Sequence, residues 1–473
     1  MGMKKFALSI VFTLLAAPAW ATTYYLAPAS GGGNDSNNGT SASAPWQTPK
    51  HPLNCGDVIL AAASSAYNDL SFNTGNWGPV SCPSGNNVAW LKCATFDACK
   101  IASSNGDGCM YVSASYWGVQ GWECGTTAAT EEACFQAVPP YGGSTSVHHI
   151  VFANNVANGC QGGGFAAYGN STYNVDYVAI VGNIAYDSVQ GSGECFSGIN
   201  IASPIPSDTV AGTHFYIAGN FAWNNFEPAT CAGGPPTDGE GIVIDSLDVN
   251  SYTQQVVVKN NISFLNASSG VKVVATTKAA IYIVSNTSYG NNRDTSLNQT
   301  LCGEITLQSS NNTSVYYNLV RTIASTGCGP YPNYAFFVQD PCLGDAVHNN
   351  FGYSAAEYNS DSASCSGFTF GPNNTFGTDP DFVSAPPSNP GAPNCGRATS
   401  VPKCMATVVG DLTPRAASAA GYGYQAPSAV QTYDPLFPQW LCNVNLPAGL
   451  VTMGCLSKSS LPATPDITDV TVQ

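Results

Sequence analysis

Short β-type runs, each followed by an asparagine, recur through the middle of the chain. The runs are VFANNVAN (151–158), AIVGNIAY (179–186), YIAGNFAW (216–223), VVKNNISF (257–264), IVSNTSY (283–289) and AVHNNFGY (346–353). The asparagines at the common position are Asn155, Asn183, Asn220, Asn261, Asn286, Asn318 and Asn350. Their spacing varies from 25 to 41 residues, which excludes helical repeats of fixed length.

A Gly-rich turn and a further β run follow most of these asparagines. These second runs are GGGFAAY (162–168), SGINIAS (197–203), GEGIVID (239–245), SGVKVVA (269–275) and GEITLQS (303–309). Two or three short strands per repeat, without amphipathic helices between them, predict an all-β fold, a right-handed parallel β-helix whose coils stack about 4.8 Å apart. We expect the asparagines to stack inside a corner and bond the backbone of the next coil, the alternative being turn asparagines without a ladder.

The repeats also suggest how the chain is organised. Residues 22–384 form the predicted β-helix domain, with an N-terminal cap and early coils over 22–149 and Asn-repeat coils over 150–384. Residues 385–473 lack the repeat and contain cysteines and many Pro, Ala, Gly and Ser residues. We expect this extension to be disulfide-braced and to fold back over the last coils, because the open edge of a solenoid must be covered.

The N-terminus and the cysteines indicate an exported protein. Lys4 and Lys5 precede an apolar run, and Ala19-Trp20-Ala21 follows it, which predicts a signal peptide over 1–21 with cleavage near Ala21 and a secreted or periplasmic location. All 18 cysteines lie after it. An even number in an exported chain favours disulfides over metal thiolates, although the spacing does not assign their pairing.

Charge and hydropathy narrow the classes of partner. The chain is 44% hydrophobic, only 9% charged, and has a formal net charge of -15. Such an acidic protein is a poor partner for nucleic acid. No later segment reaches the about 18 apolar residues of a membrane span. We expect a monomer that acts on a polysaccharide.

Three segments of the chain carry a family resemblance. The opening TTYYLAPASGGGNDSNNGTSASAPWQTP (22–49) is similar to the segment that leads into the first coil of secreted parallel β-helix proteins of the pectate-lyase-like superfamily. The later TDGEGIVID (237–245) and VVVKNNISFLNASSGVKVV (256–274) resemble their repeats. The resemblance implies the β-helix fold. It is weak for chemistry, because the superfamily holds lyases, hydrolases, epimerases and tailspikes.

Charged residues cluster in the later coils. No Lys or Arg occurs between Lys100 and Lys259. Strand alternation points Ile242, Ile244, Val271 and Val273 inward. Stacking then places Lys272 on the outer face, with Asp245 and Glu304 each about 8 Å away, and with Asn200 and Thr306 in its column.

Two mechanisms compete for this group of residues. The preferred one is β-elimination on a uronate-containing glycan, with Lys272 as the base, Asp245, Glu304 and Arg293 as further catalytic residues, and Asn200, Thr306 and Lys259 as substrate ligands. The cation that stabilises the developing enediolate is Ca²⁺ on the clustered Asp238, Glu240, Asp245 and Asp248, or Arg293. The group resembles pectate lyases with a lysine base and a calcium cage, a pattern that Lys272 and Asp238 match and whose paired aspartates are absent. The alternatives are a glycoside hydrolase with a carboxylate pair on the same face and a non-catalytic glycan-binding or adhesin solenoid.

Overall fold

A computed structural model of the chain describes most residues between Ala21 and Leu446. The described residues are 21–68, 77–82, 87–103, 108–126, 133–139, 145–169, 172, 174–189, 195–227, 237–294, 302–323, 333–354, 360–361, 365–386, 393, 395, 398–426 and 434–447. The predicted signal peptide, apart from Ala21, lies outside them, and so does the end of the predicted extension with Cys455.

Three long sheets in which consecutive coils pair in parallel form the body of the protein. The first sheet has strands Thr23–Leu26, Val58–Ala61, Ala89–Cys93, Trp117–Gln120, Val147–Ala153, Val175–Val181, Thr213–Ala218, Gln255–Lys259, Ile281–Val284, Thr313–Tyr316 and Ala346–His348. The second has Ser64–Tyr67, Cys99–Ser103, Trp122–Thr126, Val156–Asn158, Ile184–Tyr186, Phe221–Trp223, Ile262–Phe264, Thr287–Tyr289, Leu319–Arg321, Phe351–Tyr353 and Thr375–Phe376. The third has Met110–Val112, Phe135–Ala137, Phe165–Tyr168, Ile199–Ala202, Ile242–Asp245, Val271–Thr276, Gly303–Ser310, Tyr334–Gln339 and Ser360–Asp361.

The remaining elements are short. A two-stranded sheet pairs Leu53–Asn54 with Val80–Ser81. Within the described residues, the α-helices are Val401–Cys404 and Ala406–Asp411, and the 3-10 helices are Ala29–Gly31, Leu247–Asn250, Ala417–Ala419 and Gln439–Asn443. Within the described part of the chain, no helix has the length and apolar character needed to cross a membrane.

Alternation along each strand builds the core. Ile242, Ile244, Val271 and Val273 are fully buried and belong to one hydrophobic cluster that continues through the coils. Pairing of Ile242 with Val271 and of Val243 with Lys272 matches the predicted register. The sheet topology therefore confirms the predicted all-β, parallel β-helix fold.

An asparagine ladder follows the corner between the first and second sheets. The backbone N–H of Asn155 donates to Oδ1 of Asn183 at 2.9 Å, and the side-chain Nδ2 of Asn183 donates to the Phe152 carbonyl at 2.9 Å. The same pattern continues through Asn220, Asn261, Asn286, Asn318, Asn350 and Asn374. The predicted ladder is confirmed, and the structure extends it by Asn374. Each side chain satisfies backbone groups that the bend would leave unpaired.

A second ladder, which the sequence analysis did not identify, follows the corner between the second and third sheets. Asn225 donates its N–H to Oδ1 of Asn266, which donates to Asn291 in the next coil. Asn291 then donates to Oε1 of Glu304 at 2.9 Å. A carboxylate therefore ends this ladder, where the other has asparagine throughout.

Glycines before the third-sheet strands allow this corner to close. A Cβ on Gly241 would lie 1.8 Å from Ser263 Oγ, and one on Gly270 would lie 2.1 Å from Ser288 Oγ. Neither distance is sterically possible, so the glycine of each turn is required where the corner approaches the strand that carries the candidate site.

Disulfides brace the early coils and the last turns. The six described pairs are Cys55–Cys82, Cys93–Cys99, Cys109–Cys124, Cys134–Cys160, Cys342–Cys365 and Cys395–Cys404. Cys195, Cys302 and Cys442 are disulfide-bonded as well. No cysteine within the described residues is free. The predicted disulfide role is confirmed, and it is consistent with folding in an oxidising compartment.

The C-terminal extension covers two of the three outer faces. Val401 and Met405 share a hydrophobic cluster with Trp223 and Phe264 of the second sheet. Other extension side chains pack on first-sheet residues: Phe437, Trp440, Leu441 and Val444. The extension thus reaches coils far before the last ones, since Val401 N–H bonds to Asn154 Oδ1. Among the described residues, no hydrogen bond, ion pair or hydrophobic cluster joins the extension to the outer face of the third sheet.

Candidate functional site

The outer face of the third sheet carries two parallel rows of side chains. The covered row, defined as Asn200, Val243, Lys272 and Thr306, follows from the strand register and is nearly inaccessible to solvent. The open row, defined as Tyr168, Ala202, Asp245, Val274, Gln308 and Gln339, is half-buried throughout. Its five interstrand steps span about 24 Å, a length suited to an extended polymer.

Lys272 lies in a buried ion pair. Its Nζ donates to Oε1 of Glu240 at 2.7 Å and lies 3.4 Å from the Thr237 carbonyl. The side chain of Lys272 is 12% exposed and that of Glu240 is 0% exposed. Ser268 Oγ donates to Glu240 Oε1 at 2.8 Å, and Ser197 Oγ donates to Oε2 at 2.5 Å. Glu240 is therefore fully paired inside the fold, and it anchors the ammonium group.

The acidic neighbours keep Lys272 charged. Burial acts to lower the pKa of Lys272, but the carboxylates of Glu240, Asp238 and Asp245 outweigh it and raise the pKa above its usual value. The prediction that Lys272 is freely solvent-facing is wrong, because its head group turns towards Glu240. A lysine with a raised pKa is a poor proton acceptor near neutral pH.

Asp238 is a half-buried acid beside this ion pair. No hydrogen bond to its carboxylate is found among the described residues, and it forms no ion pair with Lys272. Burial raises the pKa of Asp238 well above its usual value, and the charge of Glu240 raises it further, against a lowering by Lys272. An acid in this state keeps its proton at a pH where an ordinary aspartate is ionised.

Glu227 forms a carboxylate pair with Asp238. One oxygen of each lies within 4.8 Å of the other. Glu227 is 5% exposed and accepts the backbone N–H groups of Phe196, Thr237 and Asp238. Burial raises its pKa to about 7 despite these bonds. Three backbone bonds and low exposure make Glu227 a group that organises the turn.

Asp245 is the second accessible carboxylate. It lies in the open row, half-buried, and accepts the Ser246 hydroxyl at 2.9 Å. Burial raises its pKa, with opposing contributions from Ser246 and Lys272. Because Asp238 and Asp245 both interact electrostatically with Lys272, the cation joins two acids of different exposure.

The predicted calcium ligands do not converge. Glu240 is occupied by Lys272 and two serines. Asp248 lies beyond the opposite end of the strand Ile242–Asp245, where both its oxygens accept the Thr277 backbone N–H. The one described cluster of potential ligands that includes Asp238 contains Cys195, whose thiol is committed to a disulfide. These residues do not fit a calcium site, and no chemical step is assigned to the ion.

Three further predicted site residues lie elsewhere. Glu304 is fully buried, because its carboxylate fills the bend between the second and third sheets and accepts Asn291 and Ser288. The prediction that Glu304 faces solvent is wrong. Lys259 is on the first sheet and pairs with Asp434 of the extension at 2.6 Å.

Arg293 lies in the turn between the second and third sheets. Its guanidinium lies 5.5 Å from the Phe226 ring, and Nη1 donates to the Leu265 carbonyl at 3.5 Å. Burial lowers its pKa. Of the predicted site residues, the structure thus groups Lys272 with Asp238, Glu240 and Asp245, and it keeps Asn200 and Thr306 in the covered row.

Sequence reasoning missed Glu227, Ser197 and Ser268. Each lies in a turn that precedes a third-sheet strand, and Glu240 meets Ser197 from the coil below and Ser268 from the coil above. Ser197 stands two residues before its strand and Ser268 three before its own, as Glu240 stands two before Ile242, so polar residues near the same place in successive turns were the available signal for the serines. Glu227 lies far upstream of Ile242 and carried no such signal.

Comparisons with known proteins add little beyond the architecture. No family model matches the sequence, and no curated protein matches it significantly. The chain is similar to the crystal structure of pectate lyase Pel9A at 16% identity and a TM-score of 0.44, over 92% of this chain and 96% of that one. It is also similar to the GH136 lacto-N-biosidase from Eubacterium ramulus, at 12% identity and a TM-score of 0.41, over 75% and 68% of the two chains. A third similar structure is XylC in complex with xylose, at 11% identity and a TM-score of 0.44, over 72% and 69%.

Proposed function

We propose that this protein is an exported enzyme that cleaves a polysaccharide on the outer face of the third sheet, as a glycoside hydrolase. The observation that carries the proposal is Asp238: a half-buried acid with a raised pKa, with no hydrogen bond to its carboxylate among the described residues, and close enough to Lys272 and Asp245 to interact with them electrostatically. A proton donor of this kind is what glycosidic bond cleavage needs at neutral pH.

Hydrolysis is favoured over lysine-catalysed elimination by the state of Lys272. Elimination needs a neutral amine to take the proton next to the uronate carboxyl. The ion pair with Glu240 and the raised pKa keep Lys272 protonated. In the proposed enzyme Lys272 is therefore a fixed cation that balances the acids around it.

The two accessible carboxylates, Asp238 and Asp245, have different roles in the proposed reaction. Asp238 donates its proton to the glycosidic oxygen as the C–O bond breaks. Asp245, in its ionised form, stabilises the positive charge that develops on the sugar. Water then adds to the anomeric carbon, and its proton returns to a carboxylate, so that acid and base are regenerated. Glu227 and Glu240 hold the turn and the ammonium in place.

The position of the group also supports this function. The C-terminal extension packs on the outer faces of the first and second sheets. The third face keeps a half-buried row about 24 Å long, to which Asp245 belongs. A row of this length with Asp245 near its middle suits cleavage within a polymer.

A paired assay tests the proposal. The exported chain is incubated with neutral and acidic polysaccharides, and both new reducing ends and the ultraviolet absorbance of unsaturated uronates are measured. Reducing ends without absorbance, abolished in Asp238→Asn, are the expected result. The matched control is Asp381→Asn, since Asp381 is exposed and its φ of 48° is one that asparagine readily adopts.

Other results of this assay would point to the alternatives. Absorbance that disappears in Lys272→Met would overturn hydrolysis in favour of elimination. Binding of glycans without either product would leave the chain as a non-catalytic glycan-binding solenoid.

A further inference from the structure

We propose that the glycan recognised by the open row is uncharged, without carboxylate or sulfate groups on the sugars that contact the third sheet. This inference rests on the proposed function in taking the same face as the glycan-binding surface. It is argued from the distribution of charge, and it is opposed to the uronate substrate that the sequence pattern favours.

Cations are nearly absent from this part of the chain. Over residues 101–320, the only Lys and Arg residues are Lys259, Lys272, Lys278 and Arg293. This count comes from the sequence. The coil that carries Gln339 adds one more cation, Arg321, which lies on the second sheet and pairs with Asp379 at 2.8 Å. A site for a polyanion requires cations to offset the repulsion.

Three of these four cations are engaged away from the open row. Lys259 pairs with Asp434 on the first face. Lys278 follows the strand Val271–Thr276 and donates to Ser251 Oγ at 2.9 Å. Arg293 lies over Phe226 in the turn between the second and third sheets.

Lys272 is the one cation on the third-sheet strands, and its charge is already matched. Glu240 holds the ammonium at 2.7 Å and is itself 0% exposed, so the pair contributes no net charge. Asp238 and Asp245 then make the face negative or, when both are protonated, neutral. Near neutral pH the strand residues of this face therefore offer an anion no unmatched positive charge.

The open row itself offers groups that suit neutral sugars. Tyr168 can present a ring face and Gln308 an amide, while Gln339 is in register with Gln308 on the adjacent strand but has its Oε1 buried. Aromatic faces pack against the C–H faces of sugars, and amides donate to and accept from hydroxyls. Neither type of contact requires charge.

Binding to matched glycan pairs tests the inference without requiring cleavage. The probes are polygalacturonate and the same polymer after carboxyl reduction, and glucuronoxylan and unsubstituted xylan. Affinity electrophoresis and calorimetry are run on the full exported chain carrying Asp238→Asn. We expect the uncharged member of at least one pair to bind about tenfold or more tightly than its charged counterpart.

A second variant tests the electrostatic cause. Asp245→Asn removes one negative charge from the open row and is expected to raise the affinity for the charged member, relative to the uncharged one, by about fivefold. Asp381→Asn is expected to leave that ratio unchanged, because the side chain is exposed and outside this face.

Each result decides between the two proposals. Tighter binding of the charged members, no binding of any uncharged glycan, or an unchanged ratio in Asp245→Asn would overturn the inference. Neutral binding without cleavage by the unmodified chain would overturn the hydrolase proposal alone. Cleavage restricted to the charged members would keep an enzyme and reject the uncharged substrate.

Discussion

A buried acid on the first sheet and a half-buried acid in the turn before a third-sheet strand have opposite surroundings. At the first sheet, Asp176 is 0% exposed, and its oxygens accept His214 Nδ1, the Tyr252 hydroxyl, and both the N–H and hydroxyl of Ser207. Its pKa is lowered, because these bonds outweigh the burial. At the third sheet, Asp238 has no such bonds among the described residues, and its pKa is raised.

The difference shows that burial alone does not identify a functional acid. His214 completes the first group, since its Nδ1 lies 2.9 Å from Asp176 Oδ1 and its Nε2 lies 2.8 Å from the Val210 carbonyl. Every polar atom of that group has a partner, so its value lies in holding the loop after Ser207. Among the described residues, no hydrogen bond compensates the burial of the Asp238 carboxylate, a cost that folding alone does not explain.

The largest expected effect is a loss of activity at Asp238, which is not expected at Asp176. Asp238→Asn is expected to reduce kcat by about 10²–10⁴-fold, the contribution of a general acid. Stability should not fall, because the variant removes a group whose ionised form is penalised by burial. Initial rates and urea unfolding, measured on the same preparation, check both statements. An unchanged kcat would remove Asp238 from the mechanism.

The reverse pattern is expected at Asp176. Asp176→Ala leaves His214, Tyr252 and Ser207 without their common acceptor and should cost about 3–5 kcal/mol of unfolding free energy. The specific activity of the folded fraction should stay unchanged. Denaturant titration with Asp381→Asn as the control measures the loss. A loss of activity at full stability would contradict the structural role.

Lowering the pH should reduce the difference in unfolding free energy between Asp176→Ala and the unmodified chain. The pKa of Asp176 is lower in the folded state, so its stabilising contribution is complete above the ordinary aspartate value and disappears as the pH falls through the folded value. The two unfolding curves should therefore converge below about pH 4. A difference in unfolding free energy that stays constant at low pH would show that the ionised Asp176 carboxylate is not its source.

Glu304 shows that hydrogen bonding and the direction of the pKa shift can vary independently. It is hydrogen-bonded like Asp176, yet its pKa is raised like that of Asp238. Its carboxylate accepts Asn291 and Ser288, and burial raises its pKa to about 7. The folded state therefore binds the proton more tightly than the unfolded state, and stability falls as the pH rises towards 7.

Replacing Glu304 by glutamine should remove this slope. The variant loses an acceptor, yet its stability relative to the unmodified chain should improve by about 1–2 kcal/mol between about pH 5 and about pH 8. Thermal unfolding across that range is the measurement. If the two proteins show parallel pH dependence, hydrogen bonding rather than burial controls this carboxylate.

The fold and the register of the site were predictable because they depend on local patterns. Alternation in GIVID and VKVV fixed which side chains face the core, and recurring asparagines marked one corner. Strand parity also placed Lys272 opposite Val243, as observed.

The direction of the charged head groups was not predictable in the same way. Glu240 turns inward to reach Ser197, 43 residues away, and Ser268, 28 residues away. Glu304 stands at a bend, where the two-residue alternation of a straight strand does not describe its environment. The covering of two faces depends on how a segment without repeats packs, which no periodicity encodes.

The smallest expected effect is a change in KM for tyrosine variants, and it distinguishes the open third face from the covered first face. Tyr168 is half-buried in the open row, whereas Tyr177 is 7% exposed and packs near Trp440 of the extension. Tyr168→Ala is expected to raise KM by about threefold to tenfold, with kcat changed by less than about twofold, because a stacking platform acts mainly on binding. Tyr168→Phe keeps the ring and should retain the KM. Tyr177→Phe removes the hydroxyl that donates to Asp208 and should leave KM unchanged. A KM that responds to Tyr177 rather than to Tyr168 would place the glycan on the first face and reverse the assignment of the two faces.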